Sequence, residues 1–232
     1  QISSSIRDCF KEDRHDEVMY HVGRPGHEGS MERVLQAWGI DGHNSHTTVC
    51  SASARAGYQF TWGYDRPAPD HANAQLILLL SAHLESGHYF NPHAQRIMEA
   101  KQSGARIVVM DPRLSNTASK ADLWLPTKPG TEGAVILAAL KILIDEKRVD
   151  RKFIEEWVDW RGYLKAVHPE DVPSVDGFLA RFSEQLEQWT PSEAESYAGL
   201  ESGSVEKLAA EIARAGSRIA AHCWRSAASG NL

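Results

Sequence analysis

Gln75-Leu-Ile-Leu-Leu-Leu-Ser-Ala-His-Leu-Glu-Ser-Gly87 decides the fold. The apolar run Leu76–Leu80 has the length of a strand and no polar alternation, so both of its faces are expected to be covered. Small and polar residues follow at once. Ile107-Val-Val-Met110 repeats the pattern and runs into Asp111-Pro112, and Ala121-Asp-Leu-Trp-Leu125 supplies a third, shorter strand. Between the first two strands Ala94, Ile97, Met98 and Lys101 recur at helical spacing, closed by Gly104, and Ala134–Glu146 reads as a helix with a wide apolar face. This rhythm predicts an α/β fold, with parallel-sheet Rossmann-like domains and helical additions. Ligands of such sheets bind beyond the carboxyl ends of the strands, which here are the loops at 81–87, 111–113 and 126–132.

Toward the N-terminus, Glu17-Val-Met-Tyr-His-Val22 is a short β-prone run that stops at Gly23-Arg-Pro-Gly26. Ser30 is placed to cap a helix through Met31, Val34, Leu35 and Trp38, with Gly39 as its stop, and Asp41-Gly-His-Asn-Ser45 has turn chemistry. Beyond Arg151 the pattern turns helical. Phe153, Ile154, Trp157 and Val158 form one stripe, and Phe178, Leu179, Phe182 and Leu186 another; both read as core. Ser204 is expected to cap a helix through Val205, Leu208, Ala209 and Ile212 that ends near Gly216, before a last strand from Arg218 to Cys223.

Of the 232 residues, 42% are hydrophobic and 24% charged, the balance of a folded globular protein. The net charge of −6, with no basic stripe, argues against a nucleic-acid surface. The run Leu76–Leu80 falls far short of the roughly 20 residues a membrane span requires. Cys9, Cys50 and Cys223 form no Cys-x-x-Cys signature, so they build no iron–sulfur or structural zinc site alone, and their odd number argues against a disulfide framework. The chain opens without an initiator Met or an apolar signal region and closes on Ser229-Gly-Asn-Leu232; an internal piece of a longer protein is expected.

A strand that ends in an acid, as Val108-Val-Met-Asp111 does, is a recurrent way to hold a ribose, because the carboxylate accepts from both hydroxyls; a strand-terminal Asp is also a common turn residue. The glycine fingerprint of nicotinamide-binding folds is missing from residues 80–87. His83, His88 and His93 are spaced by five, which suits neither one helix face nor one strand face, so no metal cluster is expected from them.

Taken in order, the segment at 75–87, Gly104-Ala-Arg-Ile-Val-Val-Met-Asp-Pro-Arg113, Thr117-Ala-Ser-Lys-Ala-Asp-Leu-Trp-Leu-Pro126 and Lys128-Pro-Gly-Thr-Glu-Gly-Ala134 closely resemble one domain of the molybdopterin oxidoreductases of the dimethyl sulfoxide reductase family. In that family it holds one of two molybdopterin guanine dinucleotides. The family pattern is a strand into Gly-x-Asn, a strand into Asp-Pro-Arg, Ala-Asp-x-x-Leu-Pro, then Pro-Gly-Thr-Asp; here His83 replaces the Asn and Glu132 the Asp. The resemblance assigns Asp111 to the ribose, Ser81, His83 and Ser86 to the phosphate end, and Glu132 to the guanine N–H edge. Glu85, Arg113, Gly130 and Thr131 complete the cofactor-binding set it implies.

Thr47-Thr-Val-Cys-Ser-Ala-Ser-Ala-Arg-Ala-Gly57 stands where the family places its metal ligand, so Cys50 resembles the catalytic thiolate to molybdenum or tungsten, with Ser51 or Ser53 as substitutes if the register slips. His43 and His46 are candidates for substrate or supporting roles, or simply turn residues. The family's 4Fe-4S segment, expected N-terminal to this stretch, and its C-terminal β-barrel have no counterpart here. The implied domains are residues 1–58 in a first α/β domain, 59–216 in a second that binds the guanine dinucleotide, and 217–232 as a return strand to the first. The implied function is oxygen- or sulfur-atom transfer coupled to electron transfer. Ser51 stands where formate dehydrogenases tend to have His, which tilts the small-molecule substrate toward a sulfur, arsenic or nitrogen oxyanion. The expectation is completed by an iron–sulfur electron-transfer subunit, in a prokaryotic periplasmic or membrane-associated complex. A non-catalytic scaffold relative that has lost the metal is the rival, with His83 and Glu132 as signs of decay.

Overall fold

The computed structural model describes residues 1–22, 28–40, 43–45, 52–64, 68–84 and 91–223. The chain divides into two compact units, Gln1–Arg66 and Pro67–Leu232.

The first unit contains α1 (Ile2–Lys11), β1 (Tyr20–Val22), α2 (Glu28–Ala37), β2 (His43–Ser45) and α3 (Ala52–Trp62). β1 and β2 pair in parallel, Tyr20 opposite His43 and Val22 opposite Ser45. Among the described residues of this unit the buried apolar ones are Leu35, Ile40 and Ala54. Three local expectations change here. α2 begins at Glu28, so Ser30 lies inside the helix rather than capping it. His15–Glu17 form a 3-10 turn, so the first strand is confined to Tyr20–Val22. Positions 43–45 form a strand where turn residues suggested a loop, because the ladder with β1 supplies the backbone partners that the polar side chains do not signal.

The second unit is a four-stranded parallel sheet in the order β5-β4-β3-β6, with β3 Leu76–Leu80, β4 Arg106–Met110, β5 Leu123–Leu125 and β6 Ile219–Cys223. Since successive side chains of a strand point to opposite faces, the continuous apolar runs split into two cores. Leu76, Leu78, Val108 and Met110 face α5 (Glu132–Asp145), together with residues of α9 (Pro191–Ala198) and α10 (Ser204–Ala215). Ile77, Leu79, Ile107 and Val109 face α4 (Asn91–Gln102) through Ile97 and Ala100. At roughly 25 cal/mol per Å² of apolar surface removed from water, these two-sided strands are the main source of the unit's stability. The expected α/β fold with a parallel sheet is what forms.

The second apolar stripe builds a satellite core. α6 (Arg151–Trp157), α7 (Trp160–Val167) and α8 (Val175–Gln185) bury Ile154, Trp160, Leu164, Val175 and Phe178 together. The side chains of Asp150, Asp159 and Ser174 cap these three helices at 3.0, 2.9 and 2.9 Å. α9 opens with Pro191 and a Thr190–Glu193 capping box and ends on left-handed Gly199 (φ 70°). α10 departs from expectation. Gly203 occupies the cap position and Ser204 makes no side-chain cap; instead the buried carboxylate of Glu195, in α9, accepts the Val205 N–H at 2.9 Å.

Two features differ from the domain limits expected from sequence. α3 runs unbroken through position 58, and the division falls at Arg66–Pro67. β6 pairs in register with β3, Leu76 opposite Ile219 and Leu80 opposite Cys223, so the last strand is an edge of the second unit's own sheet rather than a return to the first.

Candidate functional site

The site is built at the carboxyl edge of the four-stranded sheet. Leu80 and Met110 are paired neighbours, so Ser81 and Asp111 leave adjacent strands side by side. Ser81 adopts a left-handed backbone (φ 54°) and its N–H donates to the Met110 carbonyl at 2.9 Å, which turns the chain sharply away from the sheet. Its hydroxyl donates to Glu132 Oε1 at 2.8 Å. Glu132 reaches this spot through a tight turn. The Thr131 N–H bonds back to the Lys128 carbonyl at 3.2 Å, with Pro129 and Gly130 (φ 86°) at the two central positions, as a type II turn requires. Thr131 Oγ1 adds a bond to the same carbonyl at 2.7 Å. Glu132 thus opens α5 and is 3% exposed. Its second oxygen, Oε2, is buried with no partner among the described residues, and so is Thr127 Oγ1.

Asp111 is the other acceptor. Its Oδ1 accepts the Arg113 N–H at 2.8 Å, and Oδ2 lies 3.0 Å from His83 Nε2. Arg113 Nη2 stands 3.1 Å from Nδ1 and 3.3 Å from Nε2 of the same ring. His83 Nε2–H donates to Asp111, and the Arg113 guanidinium nitrogen, nearly equidistant from both ring nitrogens, lies against the ring. Each Asp111 oxygen then keeps a lone pair for one further donor. Two adjacent acceptors with one free lone pair each match a vicinal diol such as a ribose presents. An unpartnered buried carboxylate oxygen matches an N–H donor carried on a ligand, since leaving it unpaired costs on the order of 1–3 kcal/mol.

Of the residues singled out from sequence, Ser81, His83, Asp111, Arg113, Gly130, Thr131 and Glu132 are brought to this one edge. Cys50, Glu85 and Ser86 lie outside the described residues, as do His46 and His88. His43 is in β2, in the first unit. His93 belongs elsewhere: its Nδ1 is 3.5 Å from His71 Nδ1, and His71 Nε2 is 3.4 Å from His222 Nδ1. Among the described residues no group of three or more His, Cys, Asp or Glu is placed to hold a metal ion.

Two supports of the cradle were not anticipated. Trp124 Nε1 donates to the Asp111 carbonyl at 2.8 Å, and Thr117 Oγ1 accepts the Leu84 N–H at 2.9 Å. Both fix backbone that carries a site residue. Trp124 packs against the core on the α4 face of the sheet, and nothing in the sequence marks its bond to the Asp111 carbonyl.

A sequence profile of the molybdopterin oxidoreductase family matches residues 30–213. The chain is 27% identical over 195 residues to the molybdopterin-containing subunit of arsenate respiratory reductase from Chrysiogenes arsenatis, covering 81% of this chain and 22% of that protein. It is 30% identical over 159 residues to a selenate reductase subunit from Mesobacillus selenatarsenatis (61% of this chain, 15% of that protein). It is 31% identical over 141 residues to the molybdopterin-containing subunit of thiosulfate reductase from Salmonella typhimurium (60% and 18%). The chain therefore spans less than a quarter of each of these relatives. Its fold matches that of acetylene hydratase from Pelobacter acetylenicus with a TM-score of 0.74 at 19% identity, over 97% of this chain and 28% of that one. With the profile covering most of its length and the cradle formed at the sheet edge, this chain belongs to the molybdopterin oxidoreductase family.

Proposed function

We propose that the chain is the nucleotide-holding part of a molybdenum or tungsten oxidoreductase in which the pterin carries a guanine dinucleotide. Molybdopterin with its metal is the cofactor that family membership implies. The guanine dinucleotide form is supported by one observation above all, the buried Oε2 of Glu132, which has no partner among the described residues and calls for an N–H donor from a ligand. The guanine edge, with adjacent ring and exocyclic N–H groups, offers that donor, whereas the Watson–Crick edge of adenine places an unprotonated ring nitrogen beside its amino group.

When bound, the cofactor supplies two-electron redox chemistry and atom transfer at the metal. This chain's residues bind and orient it. Asp111, steadied by His83 and the Arg113 N–H, accepts from the ribose hydroxyls. Ser81 holds Glu132 in the rotamer that presents Oε2, and Arg113 supplies positive charge beside the pyrophosphate. Cys50 as the metal thiolate rests on the resemblance of its sequence surroundings. The relatives named for arsenate, selenate and thiosulfate support an oxyanion as substrate. A 4Fe-4S cluster, an electron-transfer subunit and a periplasmic or membrane-associated assembly rest on the family resemblance of the sequence. Among the described residues no helix is long and apolar enough to cross a membrane.

Acid hydrolysis of the purified full-length protein, with metal analysis of the same sample, tests the reading. Two equivalents of GMP per molybdenum or tungsten are expected. Release of AMP or CMP, or of no nucleotide, would overturn it.

A further inference from the structure

At the opposite, amino edge of the same sheet lies a cleft of about 540 Å³, within the range of small-ligand sites. It is walled by the segments that lead into three strands: Ala72–Gln75 before β3, Ser103–Arg106 into β4, and Arg214–Arg218 before β6. The charged residues among its lining are Arg106, Arg214 and Arg218. Their neutralisation is incomplete. Arg106 bonds Glu211 through Nε at 2.8 Å and Nη2 at 2.7 Å, and Arg214 leans on the same Glu211, so one carboxylate serves two guanidiniums. Asp122, 3.8 Å from Arg106, is already bonded to Lys101 at 2.9 Å. Arg218 has no carboxylate partner among the described residues, and its guanidinium lies against the side-chain amide of Gln75.

We propose that this cleft is a second ligand site, for a small multivalent oxyanion of the phosphate class. The site carries surplus positive charge in a chain whose net charge is −6. Guanidinium forks match the tetrahedral oxygens of phosphate in bidentate fashion, and a doubly charged anion neutralises what Glu211 leaves over. The site is independent of the nucleotide cradle, which occupies the other end of the strands.

Titration calorimetry with inorganic pyrophosphate, on the cofactor-loaded full-length protein at low ionic strength, tests this. Saturable binding is expected that weakens steeply with added salt and falls at least tenfold in Arg218→Gln. Arg214→Gln should weaken it similarly, whereas the exposed Arg148→Gln should leave it unchanged. Arg218 is solvent-exposed and bears no ion pair among the described residues, so Arg218→Gln decides the matter even if Arg214→Gln misfolds. No binding, or full binding by Arg218→Gln, would overturn the proposal. So would loss of binding in His83→Asn with retention in Arg218→Gln, because that pattern puts the anion at the cradle.

Discussion

Glu132 and Glu195 are buried to the same degree, at 3% and 5% exposure, yet they sit in opposite circumstances. Glu195 closes the α9–α10 junction, where its carboxylate caps the Val205 N–H and supplies what Gly203 and Ser204 leave undone. Glu132 opens α5 at the sheet's carboxyl edge and uses one oxygen on Ser81, while the other faces no donor among the described residues. A buried carboxylate that completes a helix terminus is a structural device. One that is left half-satisfied is a cost that the unliganded fold carries, and such costs concentrate where a ligand is to bind.

Replacement separates the two most clearly. Glu195→Ala should destabilise the protein by about 2 kcal/mol, through loss of the cap and an unsatisfied N–H. Urea denaturation of the full-length protein reads this directly, and an unchanged midpoint would deny the capping role. Glu132→Gln should cost far less. The Gln side chain still accepts from Ser81 and puts an amide NH2 where Oε2 stood, so one unpartnered polar group replaces another and the stability of the cofactor-free protein should change by less than about 1 kcal/mol. A loss as large as that of Glu195→Ala would show that Oε2 is already satisfied.

A third buried group gives a smaller, pH-dependent effect. Burial lowers the pKa of His71, nearby His93 lowers it further, and Asp70 opposes them. The folded state thus favours neutral His71. The unfolded chain binds the proton more readily, so stability falls as pH drops through the ordinary histidine value of about 6.5. His71→Asn should flatten the slope of unfolding free energy between pH 7 and pH 5.5. An equally steep slope in the variant would assign the effect to other groups.

How much of this was legible in the sequence depended on whether the deciding force was local. Leu76–Leu80 and Ile107–Met110 announced themselves, because a strand covered on both faces must be apolar throughout. Asp111 was legible for a related reason, since a strand end restricts residue choice locally; Gly130 entered only through the family resemblance, and its turn is visible in the fold alone. β2, at His43–Ser45, was not, since a three-residue polar strand is specified by its partner alone. α3 escaped notice because Ala52–Gly57 is small and lacks an apolar stripe. The misassigned Ser204 cap shows the same limit, since Glu195, nine residues earlier, acts only once α9 and α10 have packed. Within the site, the strand end pointed to Asp111 and the family resemblance to Ser81, His83 and Glu132, but neither pointed to the His83–Asp111 bond or the orphaned Oε2 that give them a chemical reading.

The most direct test of that reading is nucleotide discrimination by the cofactor-free full-length protein. Titration with GDP and with ADP should show GDP bound at least tenfold more tightly, with the preference abolished in Glu132→Gln and both nucleotides weakened in Asp111→Asn. Equal affinity for GDP and ADP in the wild-type protein, or an undiminished GDP preference in Glu132→Gln, would contradict the claim that this sheet edge is built to hold a guanine nucleotide.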